Sequence, residues 1–266
     1  MARIAVVGHV EWVQFLSLAK LPAHGQITPA ERVRVNAAGG AVVAATVLAR
    51  LGAEVEFFGA VGADDLGDQA IAQLELAGIS AHCVRRPSPS REVITFLDND
   101  HERSIVTLGE RLAPAGDDEL DWARLEEMDG VYFTAGDQGA LAHARRARLL
   151  TTTPRIAEQL INVDVELDAL IYSGDDHAEV DWAGQLASHA RLQVITDGGH
   201  GGRWTGASRG SWEPVERPGP FIDSYGAGDS FAAGFTYGLA VAGDPREAAR
   251  TGAECGARAL THAGGP

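Results

Sequence analysis

The chain has 266 residues, of which 45% are hydrophobic, and a formal net charge of -15. This length suits one α/β domain or two small domains, and the hydrophobic content excludes a disordered chain. The acidic balance disfavours nucleic acid and anionic membranes as partners, because both attract basic surfaces. The two cysteines, Cys83 and Cys255, are too far apart in the sequence for a metal-binding spacing or a disulfide framework.

The N-terminal segment, Met1–Gly8, has the pattern of a short strand. It lacks the long apolar region and the cleavage site of a signal peptide. The longest apolar runs, near residues 41–49 and 231–242, are too short or too interrupted by glycine to span a bilayer. We therefore expect a soluble, cytoplasmic protein.

Short apolar runs alternate with amphipathic, alanine-rich stretches along the chain. Strands are predicted at residues 4–7, 55–58, 130–133, 169–172 and 192–196. Helices are predicted at residues 41–51, 68–77, 118–125, 140–149, 181–189, 230–242 and 245–260. Because strands and helices alternate, we expect one three-layer α/β domain over residues 1–266, with a mostly parallel sheet between helices.

One region departs from this alternation. Residues 93–97 and 103–108 have strand patterns and are joined by a polar tip at 98–100, which predicts a β-hairpin. Together with the extended stretch 10–35, this hairpin is expected to form a small separate sheet. An ordinary surface hairpin is the alternative.

The most informative motif is the run Asp-Ser-Tyr-Gly-Ala-Gly-Asp at 223–229, which leads into a predicted helix. Gly226, Ala227 and Gly228 allow a tight bend and the close approach of a ligand to backbone N–H groups. The N-terminus of the helix that follows suits a phosphate. A carboxylate beside a phosphate can accept the proton of an attacking hydroxyl, so Asp229 is a candidate general base. A helix-capping role for Asp229 is the alternative.

Several common sites are excluded. Lys20 is the only lysine, and there is no Gly-Lys-Ser/Thr ending or His-Arg-Asp loop, which excludes P-loop enzymes and protein kinases. The Gly-x-Ser-x-Gly pattern at 206–210 has no helix after it, since Pro214 follows closely, and this argues against a hydrolase nucleophile. The nine histidines contain no i, i+4 pair suited to zinc.

The run at 223–231 resembles the C-terminal signature of the ribokinase-like (PfkB) carbohydrate kinases. Similar family motifs occur in the same order upstream, at Gly39–Gly52, Gly59–Gly67 and Thr196–Gly202, so the resemblance covers nearly the whole chain. It implies a three-layer ribokinase-like fold with a small β-sheet lid, formed by segments near 9–36 and 83–108. In this family the lid covers the sugar site and often forms a dimer surface.

The resemblance also implies a role for each matching residue. Asp229 would be the general base and would contact the acceptor. The other implied roles are the anion hole for Gly226, Ala227 and Gly228, nucleotide binding for Thr196, Gly198, Gly201 and Ser173, and acceptor binding for Glu11, Gly39, Gly40 and Gly136. ATP and Mg²⁺ are the implied cofactors, with a monovalent cation as a further candidate.

The metal-organising motif of the family, Asn-x-x-Glu, is altered in this chain. Its two positions correspond to Ser173 and Asp176, with Asp175 and Glu179 as alternatives. Magnesium takes oxygen ligands and keeps several waters, so an aspartate in this position is chemically tolerable. Asp176 is therefore the predicted metal residue, and a solvated acidic loop is the other interpretation of this segment.

The acceptor side departs from the family pattern as well. Val13 and Val43 occupy the positions of an acidic residue and an asparagine, with Glu11 two residues before Val13. Loss of these hydrogen-bonding groups predicts that ribose is a poor substrate. Trp12 would either offer the acceptor a flat apolar wall or pack within the lid.

We therefore expect an ATP-dependent kinase that phosphorylates a hydroxyl of a small sugar, a sugar derivative or a nucleoside. A non-catalytic ligand-binding sensor on the same fold is the alternative. The expected partners are the small-molecule acceptor and ATP, without nucleic acid or membrane. A homodimer formed through the lid is a further expectation from the resemblance.

Overall fold

A computed structural model describes residues 1–98, 103–160 and 163–264. Within these residues the strands form one sheet of nine strands and one of four. In chain order they are β1 (Arg3–Val7), β2 (Glu11–Ser17), β3 (Glu31–Ala38), β4 (Glu54–Gly62), β5 (Ile79–Arg86), β6 (Glu92–Leu97), β7 (Arg103–Leu108), β8 (Gly130–Phe133), β9 (Leu150–Thr152), β10 (Leu167–Ser173), β11 (Ala190–Thr196), β12 (Gly202–Gly206) and β13 (Gly210–Trp212).

The large sheet has the strand order β13-β12-β11-β10-β9-β8-β1-β4-β5. The pairs from β11 through β5 are parallel, and β12 and β13 add an antiparallel edge. Parallel neighbours need crossover connections, which place helices on the faces of a sheet. All of the strands predicted from the alternating pattern lie in this sheet, and the mostly parallel sheet is confirmed.

Side chains of β1 point alternately to two helical layers. Ile4 and Val6 are buried in one core cluster, and Ala5 and Val7 in another on the opposite face. The helices are α1 (Gly40–Arg50), α2 (Asp65–Leu76), α3 (Gln138–Ala144), α4 (Ala157–Leu160), α5 (His177–Leu186), α6 (Ala227–Ala242) and α7 (Pro245–Ala259). Helices α1 and α6 pack in the first cluster and α3 and α5 in the second, so the predicted three-layer fold is confirmed.

The smaller sheet, with the order β3-β2-β6-β7, forms the predicted lid. Its inner face carries Val13 and Phe15, which are fully buried and pack with Tyr225 in the loop before α6. The predicted lid segment that starts at residue 83 begins too early, because β5 runs to Arg86 within the large sheet. Part of the predicted hairpin tip at 98–100 lies outside the described residues.

The predicted helix over 118–125 is wrong. The structure has a 3-10 helix at Trp122–Glu127 instead. The carboxylate of Asp118 accepts hydrogen bonds from the Arg86 guanidinium (2.6 and 2.7 Å) and from the Ala115 amide (2.7 Å). These bonds hold residue 118 in a turn, and a local pattern does not reveal them.

The helix predicted over 140–149 is too long. α3 ends at Ala144, and the chain enters β9 at Leu150. Strand β9 pairs with β8 on one side and with β10 on the other, so partners distant in sequence decide its conformation. Among the described helices, none has the length and apolarity that a membrane crossing requires.

Candidate active site

Helix α6 begins with an open glycine turn. Gly226 adopts a left-handed conformation (φ 71°) and caps the helix without a side-chain hydrogen bond. Ala227 and Gly228 follow it and line a cavity together with Asp229. Since the first N–H groups of a helix lack intrahelical partners, this turn has the local structure of an anion site. The anion hole expected of Gly226, Ala227 and Gly228 stays a prediction.

A buried carboxylate fixes the loop before this turn. Asp223 is 3% exposed and accepts hydrogen bonds from the amides of Tyr225 (2.7 Å) and Gly264 (2.7 Å). The loop is thereby tied to the C-terminal segment of the chain. Asp223 therefore positions the glycine turn and is not itself part of the cavity lining.

The N-terminal glycine pair meets the same turn. Gly39 and Gly40 connect β3 to α1, and a Cβ atom on residue 40 would stand 2.6 Å from Oδ1 of Asp229. Only a residue without a side chain allows this approach. Gly39 has φ 94°, and its amide donates a hydrogen bond to the Tyr225 hydroxyl (3.1 Å). The two glycine signatures therefore converge on Asp229.

Asp229 lies in a strongly charged environment. Burial raises the pKa of its carboxyl above the ordinary value, and the nearby Glu179 raises it further. The positive charges of Arg155 and Arg103 and a hydrogen bond from the Tyr132 hydroxyl oppose this rise. A carboxylate with a raised pKa is a better proton acceptor, which suits a general base.

The cavity beside Asp229 has a volume of about 660 Å³. It lies at the carboxyl ends of β10 and β11, where open α/β sheets bind ligands. The lid contributes Arg103, whose guanidinium donates a hydrogen bond to the Ser224 carbonyl (2.8 Å). Besides Arg103, the residues that line this cavity include Tyr132, Thr153, Arg155, Ser173, Asp175, Asp176, Glu179, Thr196, Gly198, Gly226, Ala227, Gly228 and Asp229.

The segment after β10 contains an ion-pair cluster. Glu179 is 8% exposed, pairs with the Nε of Arg155 and accepts a hydrogen bond from the Ser173 amide (2.9 Å). Asp176 caps α5 through the Ala178 amide (3.0 Å) and the Glu179 amide (3.2 Å), and its Oδ2 lies 3.7 Å from Arg155. The interpretation as a solvated acidic loop is therefore incomplete, because Glu179 is buried and paired.

The structure does not assemble a protein-built metal cage here. In the part of the chain that is described, no three His, Cys, Asp or Glu side chains come together as metal ligands. Asp176 lines the cavity, and its role toward magnesium stays a prediction. Glu179, which the sequence leaves as an alternative, is the carboxylate whose charge acts on Asp229.

A second cavity of about 710 Å³ adjoins the first. Thr196 and Gly198 line both cavities, and Gly201 lines the second. Gly201 has φ 87°, and a Cβ there would stand 2.2 Å from the carbonyl oxygen of Trp212. The rings of Trp212 and Phe231 stack at 5.3 Å on its wall. Flat aromatic walls of this kind suit a planar base.

The acceptor-side residues surround Gly39. Glu11 Oε1 lies 3.3 Å from Nε of Arg91 and 3.7 Å from Nε2 of His9. Burial raises the pKa of Glu11, and the charges of Arg91 and Arg111 oppose the rise. Burial also lowers the pKa of the His9 imidazole to about 3, so this ring is neutral at physiological pH. Glu11 and Gly39 therefore lie together, and their role toward the acceptor stays a prediction.

Two of the predicted acceptor-side features lie in packed surroundings. A Cβ on Gly136 would stand 2.7 Å from the Phe133 ring, and this glycine does not line either cavity described above. Its role toward the acceptor stays a prediction. Trp12 is partly buried and packs against the main core cluster, and its role toward the acceptor stays a prediction.

The two valines that replace polar family residues are buried. Val13 is 0% exposed and Val43 is 4% exposed, and both belong to the apolar cluster between the lid and the loop before α6. Both side chains pack within this cluster, and neither lines either of the two cavities described above. The expectation that they make ribose a poor substrate stays a prediction.

The Gly-x-Ser-x-Gly pattern lies in the hairpin between β12 and β13, as the sequence predicts. The Ser208 hydroxyl accepts a hydrogen bond from Nε1 of Trp204 (3.1 Å). No helix follows this serine, because the chain continues directly into β13. A nucleophile elbow is therefore absent from this hairpin.

Sequence patterns missed several residues of the site. Arg155 lies on the 3-10 helix Pro154–Ile156, Arg103 on the lid and Tyr132 on β8. None of them belongs to a motif, and they reach Asp229 only after the sheet and the lid have formed. Tyr225 lies inside the glycine signature, but its bond to Gly39 is equally a long-range contact.

Known proteins resemble this chain over its whole length. The model of the pfkB family carbohydrate kinases matches residues 1–171 and 146–265. An ATP-dependent ribose-1-phosphate kinase from Halopiger xanaduensis is 27% identical, over 97% of this chain and 91% of its own length. A microbiome-derived acarbose kinase has a TM-score of 0.79 at 25% identity, covering 99% of this chain and 94% of its own.

A ribokinase from Thermotoga maritima shares the fold, with a TM-score of 0.79 at 20% identity over 100% of this chain and 95% of its own. The family match extends across both glycine signatures and the strands between them. The chain belongs to the PfkB family of carbohydrate kinases.

Proposed function

We propose that this carbohydrate kinase transfers the γ-phosphoryl group of ATP to a hydroxyl of its acceptor, with Asp229 as the general base. The position of Asp229 is the observation that supports this most strongly. Its carboxylate packs against Gly40 on the acceptor side, and its backbone belongs to the first turn of α6 on the anion side. A hydroxyl held between these two sides would meet a proton acceptor and an anion site together.

In the proposed reaction the hydroxyl oxygen attacks the γ-phosphorus as its proton passes to the Asp229 carboxylate. The bond from the γ-phosphorus to the β–γ bridging oxygen breaks, and ADP leaves. Amides of Ala227 and Gly228 would stabilise the charge on the transferred group. Arg103 and Arg155 line the same cavity and would add charge-assisted hydrogen bonds to the phosphates.

The nucleotide would occupy the adjoining cavities. Its base would lie in the cavity with the stacked Trp212 and Phe231, and its phosphates would extend toward α6. Thr196 and Gly198, which line both cavities, would lie along the sugar and phosphates. The proposed nucleotide-binding residues are Thr196, Gly198, Gly201 and Ser173.

The residues fit a magnesium ion that arrives with the nucleotide. The Asp176 side chain is 40% exposed at the cavity, whereas Glu179 is held by Arg155 and the Ser173 amide. One carboxylate, phosphate oxygens and waters are a common environment for Mg²⁺. When bound, the ion would neutralise phosphate charge. A monovalent cation stays a prediction from the family resemblance.

The acceptor is proposed only as a carbohydrate or a carbohydrate derivative. The names of similar proteins include kinases for ribose 1-phosphate and for acarbose, which differ greatly in size. A nucleoside, which is also a sugar derivative, stays within the proposal. The proposed place of the reaction is the cytoplasm, where ATP is available.

Exposed apolar residues on the edge strands of the lid support the proposed homodimer. Val33, Ile105, Val106 and Leu108 are each 47–49% exposed, and β3 and β7 are the edges of the small sheet. Apolar edge strands pair readily with other chains. Nucleic acid and membranes are not proposed as partners.

A direct assay tests the proposed function. The protein is incubated with ATP, Mg²⁺ and a panel of sugars, sugar phosphates, sugar acids and nucleosides, and ADP and the mass of the product are measured. The proposal requires ADP formation coupled to a gain of one phosphoryl group on an acceptor, lost in Asp229→Asn. Ligand binding without any phosphorylated product would favour the sensor alternative.

A further inference from the structure

One hydroxyl group of the cavity comes from the middle of the large sheet. Tyr132 lies on β8, which pairs with β1 on one side and with β9 on the other. The adjacent residues of β8, Val131 and Phe133, belong to the core cluster on the opposite face of the sheet. Tyr132 is only 1% exposed, and yet it lines the cavity beside Asp229. The strand therefore fixes the ring, and the hydroxyl end reaches the site.

The ring of Tyr132 lies in the apolar core. Its cluster also contains Phe231, Ala232 and Phe235 of α6, the helix that begins beside the cavity. A buried hydroxyl without a hydrogen bond costs free energy, so phenylalanine would suit these surroundings better unless the hydroxyl had a partner. The partner is Asp229, whose carboxylate accepts a hydrogen bond from the hydroxyl.

The Asp229 carboxylate is therefore held from two sides. Gly40, at the start of α1, lies against it, with the position of a Cβ on this glycine 2.6 Å from Oδ1 and 3.1 Å from Oδ2. Tyr132 contacts it from β8. Both contacts come from elements of the packed core, and a reacting group needs neighbours of this kind to stay within about 0.5 Å of its productive position.

Tyr132 does not serve as a second base. Burial raises the pKa of its hydroxyl well above the ordinary value, and the charge of Asp229 raises it further. The hydroxyl is therefore protonated at physiological pH, and it acts as a donor. Donation to a carboxylate favours the charged form of that group, which is the form that accepts a proton.

We propose that Tyr132 is a positioning residue of the phosphoryl transfer, whose hydroxyl holds the Asp229 carboxylate against Gly40 in the orientation that receives the acceptor's proton. The inference rests on the proposed function, since it takes Asp229 as the base. Tyr132 acts through Asp229 and needs no contact with the acceptor or with ATP. The sequence gives no sign of this role, because Tyr132 belongs to no motif and has the pattern of a core residue of β8.

Tyr132→Phe removes the hydroxyl and keeps the ring. With the acceptor that gives the highest kcat/KM in the panel above, kcat should fall about 10- to 100-fold. The KM values for this acceptor and for ATP should change little, because both binding sites remain. Tyr237→Phe, in α6 but away from both cavities, is the matched control and should leave kcat unchanged. A wild-type kcat in Tyr132→Phe overturns the inference.

The pH profile separates positioning from a general loss of packing. Because the Tyr132 hydroxyl lowers the pKa of Asp229, its removal should move the acid limb of kcat/KM to higher pH. The other titratable and charged groups that face this carboxylate are unchanged in the variant, and they are Arg155, Glu179, Arg103, Glu11 and Tyr225. An acid limb that stays in place or moves to lower pH overturns the inference.

A double-mutant cycle in urea separates this inference from the proposed function, because it needs no turnover. The unfolding constants of the wild type, Tyr132→Phe, Asp229→Ala and the double variant are compared at neutral pH. The double variant should lose about 10-fold less in folding constant than the product of the two single effects. Additive effects overturn the inference, and so does a loss of kcat in Asp229→Asn that is absent from Tyr132→Phe. Coupling together with wild-type turnover in Asp229→Asn overturns the proposed function instead and leaves only the contact.

Discussion

The carboxylate of Asp229 lies directly against the backbone of Gly40, so that a Cβ on residue 40 would stand 2.6 Å from Oδ1 and 2.9 Å from Cγ. Gly40 begins α1 and Asp229 lies in the first turn of α6, at opposite ends of the sequence. Because residue 40 has no side chain, the carboxylate of the proposed base can lie in this position.

Gly40→Ala should abolish most of the activity. The methyl group would displace the Asp229 carboxylate, and a misplacement of about 1 Å can cost roughly 10²-fold in rate. We expect kcat to fall by about that factor, with Tm close to that of the wild type because the carboxylate can move into the cavity. Steady-state kinetics and a thermal melt measure both.

Gly184→Ala is the matched control for that change. Gly184 lies in α5, and a Cβ there meets nothing within 4 Å. Alanine should stabilise the helix by about 0.5–1 kcal/mol and leave kcat unchanged. Wild-type kcat in Gly40→Ala would show that the carboxylate contact has no catalytic importance.

Asp229→Asn should remove phosphoryl transfer and retain ATP binding. The amide has nearly the same size but does not accept the hydroxyl proton, and loss of a general base typically costs about 10²–10⁴-fold. Single-turnover kinetics measure the chemical step, and calorimetric titration with ATP measures binding. Unchanged turnover in this variant would place the base elsewhere.

The raised pKa of Asp229 predicts the pH dependence of both activity and stability. In the wild type, kcat/KM should fall as the pH decreases through this pKa, because only the carboxylate accepts a proton. Since burial favours the protonated carboxyl, its stabilising contribution is present below the unfolded-state pKa and is lost as the pH rises through the folded-state pKa. In the folded protein His9, with a pKa of about 3, does not titrate above pH 5 or so; in the unfolded chain it titrates at about 6.5, so it lowers the stability of the wild type and of Asp229→Asn equally as the pH falls below that value.

Urea unfolding of the Asp229→Asn variant checks the sign of this effect. The variant does not ionise, so it should be at least as stable as the wild type at neutral pH. The difference should shrink as the pH falls, because the wild-type carboxyl then becomes protonated. A variant that is less stable at neutral pH and gains relative stability in acid would contradict the raised pKa.

Tyr225→Phe should loosen the junction between the two glycine signatures. The Tyr225 hydroxyl accepts the hydrogen bond of the Gly39 amide, and its ring packs edge-on against Phe15 at 5.0 Å. Phenylalanine keeps the ring contact but leaves a buried amide unpaired, at a cost of about 1–3 kcal/mol. We expect a lower urea midpoint than in the wild type. The KM for the acceptor should rise more than the KM for ATP.

Tyr237→Phe provides the comparison for this prediction. Tyr237 is half-buried in α6, away from both cavities, and its hydroxyl has no hydrogen bond to the described residues. Its removal should change the free energy of unfolding by less than about 0.5 kcal/mol. Equal effects of the two variants would indicate that the Gly39 bond contributes nothing specific.

Asp176→Asn should raise the Mg²⁺ concentration needed for activity. Asparagine retains a side-chain oxygen for the α5 cap but lacks the negative charge. The Mg²⁺ dependence of kcat measures this effect, and Asp181→Asn on the exposed side of α5 is the control. An unchanged Mg²⁺ dependence would remove Asp176 from the metal assignment.

The sequence by itself determined the parts of this protein that depend on local interactions. The period of apolar residues predicts five strands of the large sheet, the boundaries of α1 and α7 to within one residue and the end of α6, because burial on a strand or helix face repeats every few residues. The glycine turn at 226–228 is likewise a local structure. It predicts an open helix N-terminus whichever elements surround it.

Only the tertiary structure decided which side chains reach Asp229. Arg155, Tyr132 and Arg103 come from three separate elements, and no periodicity marks them. The same is true of β9, where pairing on both sides overrides a helical pattern. The physical reason is that these contacts depend on distances between elements, which are set by packing of the sheet, the helices and the lid against each other rather than by neighbours in the sequence.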